Sequence, residues 1–125
     1  MRRILSLLFL VLMVQSCYQR ERDCEAFKTG KFSFSYTLDG KEYNDIFIRN
    51  DSLEITFQGQ KIDSSSIRWV NNCEFVVRKI NPTSVSEKKA IRMRILSTTE
   101  NSYIFEYNIV GDQKNKQRGT AIKIN

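Results

Sequence analysis

The chain has 125 residues, a formal net charge of +6, 41% hydrophobic residues and no histidine. This length fits one small domain and excludes a multidomain enzyme. The lack of histidine excludes Ser/His/Asp triads, Cys/His dyads and histidine-ligated zinc sites.

The N-terminus has the pattern of a lipoprotein leader. Met1-Arg2-Arg3 precede an apolar run from Ile4 to Val14, which is shorter than the roughly 20 residues that a membrane-spanning helix needs. The run ends in Val14-Gln15-Ser16-Cys17, which resembles a bacterial lipobox. The resemblance implies removal of residues 1–16 as a signal peptide, lipid attachment to Cys17, and anchoring of the mature chain to a membrane. The alternative is an ordinary secretory leader with an incidental cysteine.

The residue after the lipidated cysteine bears on the destination. Tyr18 stands there rather than an aspartate. By the sorting rule of some Gram-negative bacteria, this favours the outer membrane. We therefore predict a lipid-anchored protein of the cell envelope, located at the outer membrane.

Two cysteines remain in the mature chain. An even pair of thiols in an exported protein favours a disulfide, here Cys24–Cys73. Closing a loop of about 50 residues would stabilise the fold by roughly 4 kcal/mol in the chain-entropy model. The alternatives are two buried free thiols or pairing with another chain.

The mature chain is predicted to be a tether followed by one β domain. Residues 17–26 are polar and mixed in charge, which is typical of a tether, and residues 27–125 form the domain. Apolar residues then recur with a period of two, and Asp39-Gly40 is a strong hairpin signal. The predicted strands are 31–38, 43–49, 53–57, 62–70, 73–80, 91–96, 103–110 and 117–124.

This pattern predicts an all-β fold of about eight antiparallel strands in a meander. Several short strands at regular spacing are typical of a small lipocalin-like barrel or a sandwich. No segment shows a sustained period of 3.6.

The carboxylates give no sign of an active site. Asp and Glu residues are scattered singly, and there is no glycine-rich phosphate loop or calcium-binding loop. We predict no catalytic residue, no metal site and no cofactor, and therefore a protein that is not an enzyme.

Charge is distributed unevenly along the chain. Residues 78–125 carry ten Lys/Arg and four Asp/Glu, whereas residues 17–77 carry eight and ten. The excess predicts a basic docking surface for an envelope protein or an anionic surface such as lipid head groups. The other interpretation is a set of solvated strand positions that keep the protein soluble. Nucleic acid is not expected as a partner, because the protein leaves the cytoplasm. The proposed surface comprises Lys88, Lys89, Arg92, Arg94, Lys114, Lys116 and Arg118, with Arg78 and Lys79 nearby in sequence.

The aromatic residues allow two interpretations. They either fill the core of the barrel or line a cavity for one small ligand. The residues concerned are Phe32, Phe34, Tyr36, Phe57, Trp69, Phe75, Tyr103, Phe105 and Tyr107.

Three segments resemble a family of small, uncharacterised envelope lipoproteins of flavobacterial type. They are Cys24 to Phe32, Arg49 to Asp51, and Ile67 to Phe75. The resemblance implies a disulfide-bearing, envelope-anchored β domain. Members sometimes carry a DNA topoisomerase IV label, but this chain has neither the large domain with a DNA-cleaving tyrosine nor the acidic metal site of such enzymes.

The function expected from the sequence is that of a non-enzymatic envelope lipoprotein. Its β domain would bind a partner or a small ligand. The alternative is a proteinaceous inhibitor of an envelope-active enzyme such as a lysozyme, by analogy with small lipid-anchored inhibitors that are also β-barrels.

Overall fold

The structure is a computed structural model that describes residues 21–125. Eight antiparallel strands close into one barrel in chain order, and β8 pairs with β1. This confirms the predicted all-β fold and selects the barrel over the sandwich. The strands are β1 (Gly30–Leu38), β2 (Lys41–Arg49), β3 (Leu53–Gln58), β4 (Lys61–Asn71), β5 (Glu74–Lys79), β6 (Ile91–Thr98), β7 (Ser102–Ile109) and β8 (Gln117–Lys123).

The alternating pattern of the sequence places one face of each strand inside the barrel. In β1, Phe32 is fully buried while the preceding Lys31 is exposed. The predicted hairpin at Asp39-Gly40 is also confirmed, with φ angles of 52° and 75°. Both central residues of a type I′ turn need positive φ, which suits aspartate followed by glycine.

The barrel has a closed end and an open end. The closed end is where β1 begins, and a short 3₁₀ helix (Glu25–Phe27) precedes it. Phe27 is 1% exposed, and its ring centroid lies 5.3 Å from that of Tyr103. The open end carries the Asp39-Gly40 hairpin and the long connection between β5 and β6.

A disulfide joins Cys24 to Cys73, as predicted, with a Cα–Cα distance of 5.2 Å. It links the chain just before the 3₁₀ helix to the turn between β4 and β5 at the closed end. Cys24 is only 3% exposed, so it belongs to the core rather than to a tether. The Arg22 side chain also donates to the Ile95 carbonyl at 2.8 Å. Packing therefore begins earlier than the predicted domain boundary at residue 27, because the disulfide draws the preceding residues onto the barrel.

The leader, the lipid attachment site at Cys17 and the first part of the tether lie outside the described residues.

The core occupies the closed half of the barrel. Its fully buried side chains include Phe32, Phe75, Ile95 and Ala121. One close approach explains a glycine on β8, because a Cβ on Gly119 would lie only 2.6 Å from the ring of Phe34. The absence of a side chain there lets the Phe34 ring pack against β8.

Candidate functional site

A chamber of about 280 Å³ lies inside the barrel above this core. Small-molecule sites are typically clefts of about 300–1,000 Å³ with mainly apolar walls and a few polar groups, so the chamber volume lies just below the lower end of this range. Its walls are formed by Phe34, Asp45, Phe47, Arg49, Glu54, Thr56, Val77, Ile91, Met93, Tyr103, Phe105 and Tyr107.

A second, more polar space of about 400 Å³ lies toward the open end, and we call it the rim pocket. Thr56, Val77 and Ile91 line both spaces, so the rim pocket adjoins the chamber. Its polar wall includes Gln58, Asp63, Ser65, Lys79, Ser86, Glu87 and Lys89. Ser86 and Lys89 are exposed, which places this pocket at the barrel opening.

An ion-pair cluster holds the long β5–β6 connection at the rim. The Lys79 ammonium lies 2.6 Å from Glu87 Oε1 and 3.6 Å from Asp63 Oδ1. Glu87 Oε2 also accepts a hydrogen bond from the Thr83 backbone N–H at 2.7 Å. These hydrogen bonds, that from Lys79 first, lower the pKa of Glu87 to about 2. The carboxylates of Glu87 and Asp63 thus neutralise Lys79, the lysine that strand β5 contributes to the wall of the rim pocket.

The base of the chamber is organised by Arg49, which is 2% exposed. Its Nη2 donates to the Phe27 carbonyl at 2.7 Å and to the Tyr103 hydroxyl at 3.0 Å. Its Nε donates to the Lys28 carbonyl at 3.3 Å, and its Nη1 donates to Glu54 Oε2 at 3.3 Å. Arg49 thereby connects β2, β3 and β7 with the segment that closes the barrel.

Aromatic rings surround the same guanidinium. Its central carbon lies 4.9 Å from the ring centroid of Phe32 and 4.8 Å from that of Phe75. Cations within about 6 Å of a ring face are attracted by the ring quadrupole, more strongly where water is excluded. The rings of Phe47, Trp69 and Tyr103 lie within 6.0 Å as well. The hydrogen bonds and rings together occupy the guanidinium and leave it almost no exposed surface.

Burial changes the pKa of two side chains that accept hydrogen bonds from Arg49. Desolvation raises the pKa of Glu54, and the Arg49 charge offsets part of that increase. Desolvation likewise raises the pKa of the Tyr103 phenol, so Tyr103 stays neutral and accepts the hydrogen bond from Arg49.

Asp45 supplies a second carboxylate to the chamber wall, and its surroundings differ from those of Glu54. It accepts hydrogen bonds from the Tyr36 hydroxyl and from Gln58 Nε2, both at 3.4 Å. Both donors are neutral, and no Lys or Arg of residues 21–125 forms a salt bridge with Asp45 within 4.0 Å. Burial raises its pKa, and the hydrogen bonds from Tyr36 and Gln58 act in the opposite direction.

The aromatic residues divide between the two interpretations. Phe32 and Phe75 fill the core, whereas Phe34 and Tyr107 line the chamber. Tyr103 and Phe105 do both, because each is buried in the core and also lines the chamber. Phe57 lies on the opposite face of β3 from the chamber residue Thr56 and is 36% exposed, so it lines no cavity.

The predicted basic surface is divided in the structure. Arg92, Arg94 and Arg118 alternate with two carboxylates on the outer wall of β5 to β8. Arg92 is hydrogen-bonded to Glu74, and Arg118 lies 3.5 Å from Glu106. Opposite charges across neighbouring strands stabilise a sheet by roughly 0.2–1 kcal/mol per pair. Lys116 also faces Glu106, while Lys88, Lys89 and Lys114 lie in the connections at the open end.

Sequence reasoning assigned no role in a site to Asp45, Arg49, Glu54 or Thr56, although Arg49 begins one of the segments that carry the family resemblance. The signal that finds them is strict alternation, since an inward Phe47 requires inward side chains at 45 and 49. It is masked in β2 by Ile46 and Ile48, which make the outer face as apolar as the inner one.

The described part of the chain holds no cluster of three or more His, Cys, Asp or Glu side chains that could ligate a metal ion. Within residues 21–125, no helix has the length and apolar character needed to cross a membrane.

No protein-family model matches this chain, and comparisons with curated proteins and with solved structures find no match either.

Proposed function

We propose that this protein is a lipid-anchored envelope lipoprotein that binds a small ligand inside its β-barrel. The observation that carries the proposal is the chamber, which adjoins the rim pocket and has walls of aromatic and aliphatic side chains. The binding is non-enzymatic in this proposal.

The arrangement of the two ends supports a binding role. The disulfide, the 3₁₀ helix and Arg49 close one end, so the chamber ends blindly there. The opposite end carries the rim pocket. A closed floor and an accessible opening are what a barrel needs to hold a ligand rather than pass it through.

The envelope location is supported by the lipobox-like Val14 to Cys17 and by the resemblance to small flavobacterial-type lipoproteins. The chain enters the barrel at its closed end, near Cys24. A lipid on Cys17 would therefore keep the closed end nearest the membrane and leave the open end facing away from it.

Replacing Cys17 with serine should abolish lipid attachment, because serine lacks the thiol that is alkylated. The measurement is fractionation of envelope membranes together with metabolic labelling by a fatty-acid analogue. The matched control is Ser16→Cys in combination with Cys17→Ser, which keeps a thiol one position away. Labelling of the Cys17→Ser chain at the wild-type level would contradict the proposed anchor.

Replacing Thr56 with tryptophan should eliminate ligand binding, because the side chain enters the region that the chamber and the rim pocket share. The measurement is the shift in Tm produced by a panel of small apolar and amphipathic compounds. Bound ligand raises Tm by mass action, and the shift should be lost in Thr56→Trp. The control is Thr120→Trp, the same substitution at an exposed position of β8, which should keep the shift. Equal shifts in both variants would refute binding in the chamber.

A further inference from the structure

The charges that face the chamber are unbalanced in a way that identifies a ligand class. Two carboxylates, Asp45 and Glu54, line its wall together with one cationic group, Arg49. The availability of these three groups to a ligand differs sharply.

Arg49 is not available to an anion. Its guanidinium already donates to three neutral oxygens and to Glu54, and its side chain is 1% exposed. An anionic ligand would have to displace these partners, and it would then lie beside two carboxylates.

The carboxylates keep free acceptor capacity. Arg49 bonds only to Oε2 of Glu54, whose side chain is 16% exposed. Both oxygens of Asp45 accept from neutral donors at 3.4 Å, which is near the limit of a hydrogen bond. A carboxylate has roughly four acceptor sites, so each group can accept further N–H donors. Burial raises the pKa of both carboxyls, and the groups that hydrogen-bond to them act in the opposite direction.

The walls beside Asp45 suit a cation as well. Asp45 pairs with Phe34 across β1 and β2, and the Phe34 ring packs edge-on against Phe105 at 5.4 Å. The Phe105 ring lies 5.7 Å from that of Tyr107. Aromatic faces attract organic cations and also cover an apolar body.

We infer that the chamber takes a small organic ammonium ligand, with its charged N–H donors on Asp45 and its apolar body against the aromatic wall formed by Phe34, Phe105 and Tyr107. The inference rests on the proposed ligand-binding function and specifies the chemical class of the ligand. The charges of the rim pocket do not oppose a cation, because its two lysines, Lys79 and Lys89, are matched in number by the carboxylates of Asp63 and Glu87, which lie 3.6 Å and 2.6 Å from the Lys79 ammonium.

The test compares three probes of similar shape: 2-phenylethylammonium, 2-phenylethanol and phenylacetate. Their affinities for the full chain carrying Cys17→Ser are measured by calorimetry. Charge-assisted hydrogen bonds are about twice as strong as neutral ones, so 2-phenylethylammonium should bind at least about tenfold more tightly than 2-phenylethanol. Phenylacetate should bind more weakly than the alcohol.

Asp45→Asn should reduce the affinity for the ammonium by about tenfold or more and leave that for the alcohol unchanged, because it removes the charge and keeps the shape. Asp51→Asn, the same change at an exposed turn of the closed end, should have no effect. The relative affinities of the three probes are measured on a chain with no substitution in the barrel, so that comparison does not depend on how well the Asp45→Asn variant folds.

Two results would overturn this inference. If the alcohol or phenylacetate binds as tightly as the ammonium and the binding is lost in Thr56→Trp, the chamber binds ligands but does not select cations. If the ammonium does not bind at all, the cationic class is wrong, while the compound panel with Thr56→Trp and Thr120→Trp still decides the proposed function separately.

Discussion

Replacing Arg49 with methionine should lower the free energy of unfolding by about 3–5 kcal/mol, the cost of removing one partner from a buried ion pair. Methionine fills similar space but cannot donate to Phe27, Lys28 or Glu54. The loss would be a large part of the total stability of such a domain, about 5–15 kcal/mol. Urea unfolding followed by circular dichroism measures it.

The control is Arg68→Met, which changes an exposed arginine on the outer face of β4. Substitutions at such positions usually alter stability by no more than about 0.5 kcal/mol. A similar small effect for Arg49→Met would mean that Arg49 does not hold the closed end together.

The loss in Arg49→Met should also depend on pH through Glu54. The pKa of Glu54 in the folded protein is raised above its ordinary value of 4.5, so the folded state keeps a proton that the unfolded state has released. Stability therefore falls as pH rises from 4.5 through the folded pKa. Without Arg49 the pKa of Glu54 rises further, and the decrease should be larger. Adding Glu54→Gln to Arg49→Met should remove this pH dependence of stability. If the dependence persists in the double variant, a group other than Glu54 causes it.

Replacing Cys24 and Cys73 together with alanine should lower the free energy of unfolding by about 2–5 kcal/mol, as removal of a native disulfide does in small exported domains. Here the bridge joins cysteines 49 positions apart in the sequence and also fixes the segment that carries Phe27 into the closed end. Urea unfolding of the oxidised wild type and of the double variant gives the difference.

The chain also offers a control for this experiment, because Cys17→Ser removes a cysteine that is not in the disulfide. That variant should unfold at the wild-type urea concentration. A double variant at positions 24 and 73 that is as stable as wild type would contradict a structural role for the bridge.

The strands and the disulfide were predictable because their signals are local or compositional. Alternation in β1 and the Asp39-Gly40 turn each involve neighbouring residues. Closure of the barrel depends instead on pairing between β1 and β8, for example Phe34 with Ala121, which no local pattern specifies. The sequence therefore left barrel and sandwich as alternatives.

The chamber was only partly predictable. Aromatic alternation suggested a core or a cavity, and the structure contains both. The buried charges could not be placed from composition, since Arg, Glu and Asp normally face water unless they are paired. The burial of Arg49 is explained only by its hydrogen-bond partners Phe27, Glu54 and Tyr103, which the fold brings to it from other parts of the chain.

The most direct test of ligand binding is the native mass of the protein purified from its own envelope membranes in a mild detergent. Wild type and Thr120→Trp should carry a non-covalent small molecule that is released on denaturation, and Thr56→Trp should lack it. If all three retain only the mass of the lipidated chain under native conditions, or if all three carry the same small molecule, the barrel interior is not a ligand site.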